Sequence, residues 1–360
     1  MKAIILAGGK ATRLRPLSCN TTKSMVPVLN HPFLEHLIGY LRKHDVKDII
    51  LTLSYMSEQV MDHFGDGSKF GVKINYLLED SPLGSAGAVK NAEEFLDSSF
   101  IVFNGDIFTD LDLTDMVNLH SDRKARMTIA LTTVDDPTIY GVVEIDSQSR
   151  VKCFKEKPRR EEVITNMVNA GVYVLEPEIL DYIPSEVFFT FEHDVFPAAI
   201  EGGQAIYGYP FEDYWIDIGT PEKYLKLNHD VLCRYFNGGV EFENEGFLHP
   251  TTRIEGPVLI GVGCTVDKNC VIKGPVALGP GCQIAEGALV EGALLWRDCK
   301  IGKDTKLKNC VLASNCYVSD EAEILDNCVL GDNVMIGKGS KLPQGVRVWP
   351  DKTIEANFWD

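Results

Sequence analysis

Two glycines and two arginines follow directly on the first apolar run of the chain, in Leu6-Ala7-Gly8-Gly9-Lys10-Ala11-Thr12-Arg13-Leu14-Arg15-Pro16. Glycines at such a turn let backbone N–H groups approach a polyphosphate closely, and the start of a following helix would add its positive end. Arg13 and Arg15 can offer forked donors to phosphate oxygens. The loop is neither G-x-G-x-x-G nor a Walker A, and a glycine turn with a purely structural role fits it equally well. Its meaning depends on its company.

The elements that must position this loop read as α/β. Ala3-Ile4-Ile5-Leu6-Ala7 is a continuous apolar run, as expected of a strand buried on both faces. Glu35 to Lys43 has helical spacing, and Lys47 to Leu53 reads as the next strand. Further strands are expected at Ile74–Leu77, Phe100–Phe103, Thr128–Thr133 and Gly171–Leu175, with helical stretches between most of them. A helix is expected over Pro221 to Cys233. Strands alternating with helices argue for a mostly parallel, layered sheet. The expected first domain is residues 1–235, followed by a connector over 236–252 that holds Asn237-Gly238-Gly239.

The last hundred residues obey a different period. Fifteen aliphatic residues, from Ile260 through Val266 and Ile272 to Leu342, recur at a step of six with two slips to five. The position two before each is small: Val, Cys, Ala, Thr or Ser. A parallel β-helix of hexapeptide repeats produces this double register, each flat side turning one aliphatic inward. It is expected over 253–345 as about five coils, with a tail over 346–360 whose Trp349, Phe358 and Trp359 dock on the body. Seven of the ten cysteines (Cys264, Cys270, Cys282, Cys299, Cys310, Cys316 and Cys328) occupy the small inward position. Their spacing follows the coil rather than a zinc or redox motif, so they read as small buried hydrophobes.

Composition narrows the partners. The formal charge of −17 argues against a nucleic-acid partner, although a small phosphate needs only a local positive cluster. No stretch reaches the length of a membrane span, and the opening MKAIILAGG lacks the form of a signal peptide. Unpaired cysteines and these absences together suggest a cytoplasmic protein.

Further motifs follow the loop in order: Thr22-Lys23-Ser24-Met25-Val26-Pro27-Val28, Leu83-Gly84-Ser85-Ala86-Gly87, Phe103-Asn104-Gly105-Asp106, Tyr140-Gly141-Val142-Val143, Glu156-Lys157-Pro158, Asn169-Ala170-Gly171 and Trp215-Ile216-Asp217-Ile218-Gly219-Thr220-Pro221. With the glycine loop, this series resembles the sugar-1-phosphate nucleotidyltransferases across about the first 220 residues. Within the family, Ser54-Tyr55-Met56-Ser57 and Pro82-Leu83-Gly84 are most similar to the mannose-1-phosphate guanylyltransferases. The resemblance implies a Rossmann-like sheet followed by a left-handed β-helix. It also implies transfer of a nucleotidyl group from a nucleoside triphosphate to a sugar 1-phosphate, with release of pyrophosphate.

By the same resemblance, Asp106 and Asp217 would hold Mg²⁺, and Arg13 and Lys23 would grip the β- and γ-phosphates. Leu6, Ala7, Gly8, Gly9, Glu79, Gly84 and Ser85 would bind the nucleotide. Lys157, with Asp217, would take the sugar phosphate, and Gly141, Glu156 and Asn169 would read sugar hydroxyls. Three positions depart from the family pattern. Ala11 replaces a glycine, and alanine suits the site if smallness rather than φ > 0 is required, which is the expectation here. Ser24 replaces a proline, and Ser85 replaces the commoner threonine while keeping the hydroxyl.

The resemblance favours GTP and mannose 1-phosphate, giving GDP-mannose. Glucose 1-phosphate with dTTP, UTP or ATP is the alternative. A catalytically inactive regulatory subunit is the reading from another class, and against it stands the presence of Arg13, Lys23, Asp106, Lys157 and Asp217. An acyltransferase built on the solenoid would need a histidine base, and none follows His249. The solenoid then reads as a platform for homo-oligomers.

Overall fold

The computed structural model describes residues 1–236, 239–243 and 246–356. Asn237 and Gly238 of the expected connector, and Phe358 and Trp359 of the expected tail, lie outside the described residues. The chain forms two compact units: Met1–Gly9 with Leu34–Asp217, and Lys10–Phe33 with Ile218–Asp360.

The first unit is built on a nine-stranded mixed sheet. Its strands are β1 (Lys2–Leu6), β2 (Asp48–Leu53), β3 (Lys73–Leu78), β4 (Phe100–Asn104), β5 (Met127–Thr133), β6 (Gly141–Ile145), β7 (Val151–Glu156), β8 (Met167–Leu175) and β9 (Ile206–Pro210). β1 lies at the parallel heart of the sheet, between β2 and β4, and β3 extends it beyond β2. Continuous apolar runs predict such doubly covered strands, and Ala3, Ile4, Ile5 and Ile49 to Leu51 are all fully buried. Beyond β4 the sheet turns antiparallel, through β8 to β5 and to the β6–β7 hairpin. Helix Phe33–Lys43 covers the sheet with Leu34, Leu37, Ile38 and Leu41, which share one face by helical spacing. It ends where Asp45 adopts φ 60° and Val46 N–H reaches back to the Leu41 carbonyl, a Schellman-type stop.

Two irregularities aim side chains out of this frame. The register between β8 and β5 shifts between Asn169 and Tyr173, a bulge of the kind that re-aims residues beside functional sites. A separate antiparallel ribbon pairs Ile107–Thr109 with Trp215–Asp217.

In the second unit three parallel sheets of seven, seven and six strands stack into a three-sided β-helix. Val258 pairs with Val276, eighteen residues on, so each side consumes six. Where the sequence slips to five, the coil tightens to seventeen, as in Ala277 with Leu294. Gly292 marks one shortened corner with φ 58°, and a Cβ there would lie 2.0 Å from Asn309 Oδ1. The two inward rows form one continuous core from Val258 to Val348, and the seven solenoid cysteines are buried within it as free thiols.

The sheets run past both ends of the expected repeat. Val240–Phe242 starts the first sheet inside the segment read as a connector, and Thr353–Ile354 closes another inside the segment read as a tail. The step of six continues there through Phe242, Leu248 and Ile254, and through Val348 and Ile354. At the near end the inward row opens on an aromatic, Phe242, and a glycine, Gly246, fills one small position, so the aliphatic pattern is broken there. No helix among the described residues is long and apolar enough to cross a membrane.

Candidate functional site

The antiparallel ribbon brings together the backbone segments that carry the two carboxylates expected to hold a metal. Asp217 pairs with Ile107, the residue next to Asp106, although the two acids are far apart in sequence. Asp217 is only 7% exposed, and its Oδ2 accepts from the Tyr140 hydroxyl at 2.7 Å. Tyr140 packs edge-on against Trp215, with ring centroids 5.4 Å apart, and Trp215 Nε1 donates to the Ala170 carbonyl at 2.9 Å. Asp106 follows Gly105, whose N–H donates to the Leu6 carbonyl at 3.0 Å, tying the Asn-Gly-Asp turn to the end of β1. Two hard carboxylate oxygen donors suit a divalent cation that keeps its own waters and takes phosphate oxygens as further ligands.

On the nucleotide side, Leu6 and Ala7 end β1, and Ala7 N–H still bonds to the Thr52 carbonyl at 3.1 Å. Gly8 runs beside Ser54 and Glu79, its carbonyl accepting from Ser54 Oγ, while a Cβ on Gly9 would meet nothing within 4 Å. The side of the Gly9 backbone where a Cβ would point is therefore open. The expected helix start after this loop is absent. Only the short 3₁₀ turn Thr12–Leu14 follows, so a helix dipole does not contribute. Glu79 Oε2 accepts from Leu83 N–H at 3.2 Å, and burial pushes its carboxyl upward from the ordinary value.

Gly84 and Ser85 are locked against a segment that sequence reasoning overlooked. Gly84 has φ 75°, and a Cβ on it would lie 2.4 Å from the Phe189 carbonyl oxygen. That carbonyl accepts from both Ala86 and Gly87 N–H at 3.0 Å. Ser85 Oγ donates to Glu192 Oε2 at 2.9 Å and accepts from Phe191 N–H at 3.0 Å. Phe191–Val195 forms a π-helical turn, a rare form concentrated at functional sites. Burial raises the Glu192 carboxyl above its usual range, and the nearby Glu156 charge adds to the effect. A glutamate directly after the aromatic-rich run Phe188-Phe189-Thr190-Phe191 was the available signal.

Among the residues expected to meet the sugar, β6 and β7 place Gly141 directly opposite Glu156. A Cβ on Gly141 would fall 2.5 Å from the Phe154 ring and 2.8 Å from Glu156 Oε2. Lys157 follows Glu156 with φ 43°, its N–H bonded to the Tyr140 carbonyl at 3.0 Å. Left-handed backbone at a non-glycine residue is strained and clusters at functional sites. Its Nζ, well exposed, pairs with Glu156 Oε1 at 2.8 Å. Asn169 is committed locally: it donates to the Tyr173 hydroxyl at 2.8 Å and accepts from Gly171 N–H at 2.9 Å.

Arg13 and Lys23 belong to the second unit, on the 3₁₀ turns Thr12–Leu14 and Lys23–Met25. Ala11 lies at φ 47° and ψ 40°. The expectation that this position needs only a small side chain is therefore wrong. The backbone is left-handed, and alanine is held there at a cost of about 1–2 kcal/mol. Ser18 Oγ donates to the Ala11 carbonyl at 2.7 Å and helps fix the turn.

Comparisons with known proteins agree with this layout. The family model described as nucleotidyl transferase matches residues 2–234, and that described as EIF2B subunit epsilon LbH domain matches 240–342. A UTP–glucose-1-phosphate uridylyltransferase of Synechocystis is 34% identical over 315 residues, covering 76% of this chain and 81% of the relative. A mannose-1-phosphate guanylyltransferase of Mycobacterium tuberculosis is 35% identical over 298 residues, covering 75% and 82%. Among solved structures, HddC from Yersinia pseudotuberculosis, also determined with GMP-PN, superposes with a TM-score of 0.56 at 34% identity, over 64% of this chain and 99% of that one. The chain belongs to the nucleotidyltransferase family, among the sugar-1-phosphate nucleotidyltransferases, and carries a left-handed β-helix behind the catalytic fold.

Proposed function

We propose that the protein joins GTP and mannose 1-phosphate to give GDP-mannose and pyrophosphate. The observation that supports this reading is the pairing of Asp217 with Ile107, which puts the backbone of Asp217 opposite the residue next to Asp106. In this reading a phosphate oxygen of the sugar phosphate attacks the α-phosphorus of the triphosphate. The bond to the β-phosphate oxygen breaks, and its electrons leave with pyrophosphate. Asp106 and Asp217 would hold Mg²⁺, which when bound neutralises charge on the phosphate oxygens. Tyr140 orients Asp217 by donating to it. The backbone at Gly8 and Gly9, with Arg13 and Lys23, would bind the triphosphate and stabilise the departing charge. Glu79, Gly84 and Ser85 would receive the base. Lys157 would hold the sugar phosphate, and Glu156 beneath Gly141 would read hydroxyls. Asn169, already doubly bonded, acts in this reading by fixing Tyr173 and the bulge.

Support for guanine and mannose comes from the motifs around Ser54 and Pro82 and from relatives named for that reaction. The uridylyltransferase relative, at the same level of identity, makes UTP with glucose 1-phosphate the second reading. The ten free cysteines suit a reducing cytoplasm, and the long flat faces of the solenoid suit pairing between copies. The test is pyrophosphate release with Mg²⁺, crossing GTP, dTTP, UTP and ATP with mannose, glucose, galactose and N-acetylglucosamine 1-phosphates. Dominance of the GTP–mannose pair is expected. Dominance of another pair corrects the substrates, and silence throughout from folded protein overturns the reading in favour of a regulatory subunit.

A further inference from the structure

We infer that the solenoid is a positioning element for the phosphate-gripping segment, acting through Trp296 and Tyr224 on the backbone at Pro27. The inference rests on the nucleotidyltransferase reading for the roles of Arg13 and Lys23. Its structural basis lies wholly within the second unit, where residues 10–33 fold with the solenoid rather than with the strand that precedes them. The segment has little regular structure of its own: two 3₁₀ turns and the short hairpin Pro27–Val28 with His31–Pro32. Such a stretch is ordered by what it is tied to.

The ties are specific and buried. Trp296, on a solenoid corner and 6% exposed, donates from Nε1 to the Tyr224 hydroxyl at 3.0 Å. Tyr224, 1% exposed on helix Pro221–Phe236, passes its own proton to the Pro27 carbonyl. The two rings meet edge to face, with centroids 6.3 Å apart. One helical turn on, buried Asn228 donates to the Tyr224 carbonyl at 3.0 Å and accepts from Leu29 N–H at 3.2 Å. Asn30 Nδ2 donates to the Leu278 carbonyl of the solenoid at 3.0 Å. At the other end of the segment, Asn20 Nδ2 donates to Asp332 Oδ2 at 3.1 Å, while Ser314 N–H holds the other oxygen of that carboxylate at 3.0 Å. Lys23 lies between these two anchor points.

Hydrogen-bonded chains through buried aromatic hydroxyls fix a backbone far better than exposed contacts do, because a broken member leaves a buried partner unsatisfied. A phosphate-binding lysine must be held in place before the triphosphate arrives for its charge to act fully in the transition state. The solenoid supplies that order to a loop that cannot supply it.

The test uses the full chain with Tyr224→Phe, Trp296→Phe and, as a control, Tyr317→Ala on an exposed solenoid face. Steady-state kinetics and amide hydrogen exchange over residues 10–33 are read in parallel. Tyr224→Phe is expected to raise KM for the triphosphate, or lower kcat, by about tenfold, with KM for the sugar phosphate within about twofold. Trp296→Phe should do the same more weakly, Tyr317→Ala should not, and exchange in 10–33 should quicken in the first two only. Equal losses for both substrates, or unchanged exchange in 10–33, overturn the inference. If the wild type is catalytically silent, the functional reading fails, while quickened exchange in 10–33 still sustains the tether and unchanged exchange still refutes it.

Discussion

Tyr140 and Asp217, separated by most of the first unit's antiparallel half, meet through a 2.7 Å hydrogen bond from phenol to carboxylate. The contact joins the hairpin strand that bears Gly141 to the ribbon strand that bears the buried acid, and so couples the positions proposed to meet the sugar to one of the two carboxylates proposed to hold the metal.

Removing that hydroxyl separates orientation from ligation. Tyr140→Phe should reduce turnover by about 10- to 100-fold, the usual effect of losing a group that orients a metal ligand, and raise the Mg²⁺ concentration needed for half-maximal rate. Asp217→Asn and Asp106→Asn should each cost about a hundredfold or more at any Mg²⁺ concentration. A magnesium titration of the three variants checks both points, and retained activity in both Asn variants would remove the metal assignment.

Glu192 gives a pH-dependent prediction with a definite sign. Its carboxyl is raised, chiefly by burial, so the folded state binds the proton more tightly than the unfolded chain does. The stability this contributes is fully present below the ordinary glutamate range and is lost as pH rises through the raised folded value. Glu192→Gln keeps an acceptor for Ser85 and removes the titration. Its melting temperature should therefore gain on the wild type between pH 5 and pH 8. A difference that stays constant over that range would show that Glu192 does not titrate as its burial demands.

How much of this was legible in advance follows from the range of the interactions. The continuous run Ala3–Ala7 and the six-residue rows of the solenoid announce themselves because local period reports burial directly. Phe242, Leu248 and Ile254 carry the same period, but an aromatic at the first position and Gly246 in the small row interrupt the aliphatic signal. Asp106 and Asp217 were singled out through the resemblance, yet the register of Asp217 with Ile107 that joins their segments is encoded by no local pattern. Glu192 was missed for the same reason: its partner Ser85 is 107 residues away. Ala11 shows the opposite failure, since its φ is a local property that composition cannot reveal.

Ala11 is a site where glycine should help. The left-handed backbone costs alanine about 1–2 kcal/mol, against about 0.4–1 kcal/mol for the extra freedom glycine gives the unfolded chain. Ala11→Gly should therefore leave stability unchanged or raise it by up to about 1 kcal/mol, whereas the same exchange in a helix lowers it by a similar amount. Chemical denaturation of the variant decides the matter, and a clear loss of stability would mean that the methyl group makes packing contacts worth more than the strain.

Gly141 tests the sugar side without touching a charge. A methyl group there would overlap Phe154 and Glu156, and β6 is paired on both sides, to β7 and at Val142 to β8, so the strand cannot readily retreat. The side chain free to move is Glu156, whose other oxygen holds Lys157. Gly141→Ala should thus raise KM for the sugar phosphate by about tenfold through misplaced groups, while KM for the triphosphate stays near its starting value. Rises in both constants together would indicate a general collapse of the hairpin. A rise confined to the triphosphate would place the sugar elsewhere and remove Glu156 and Lys157 from its site.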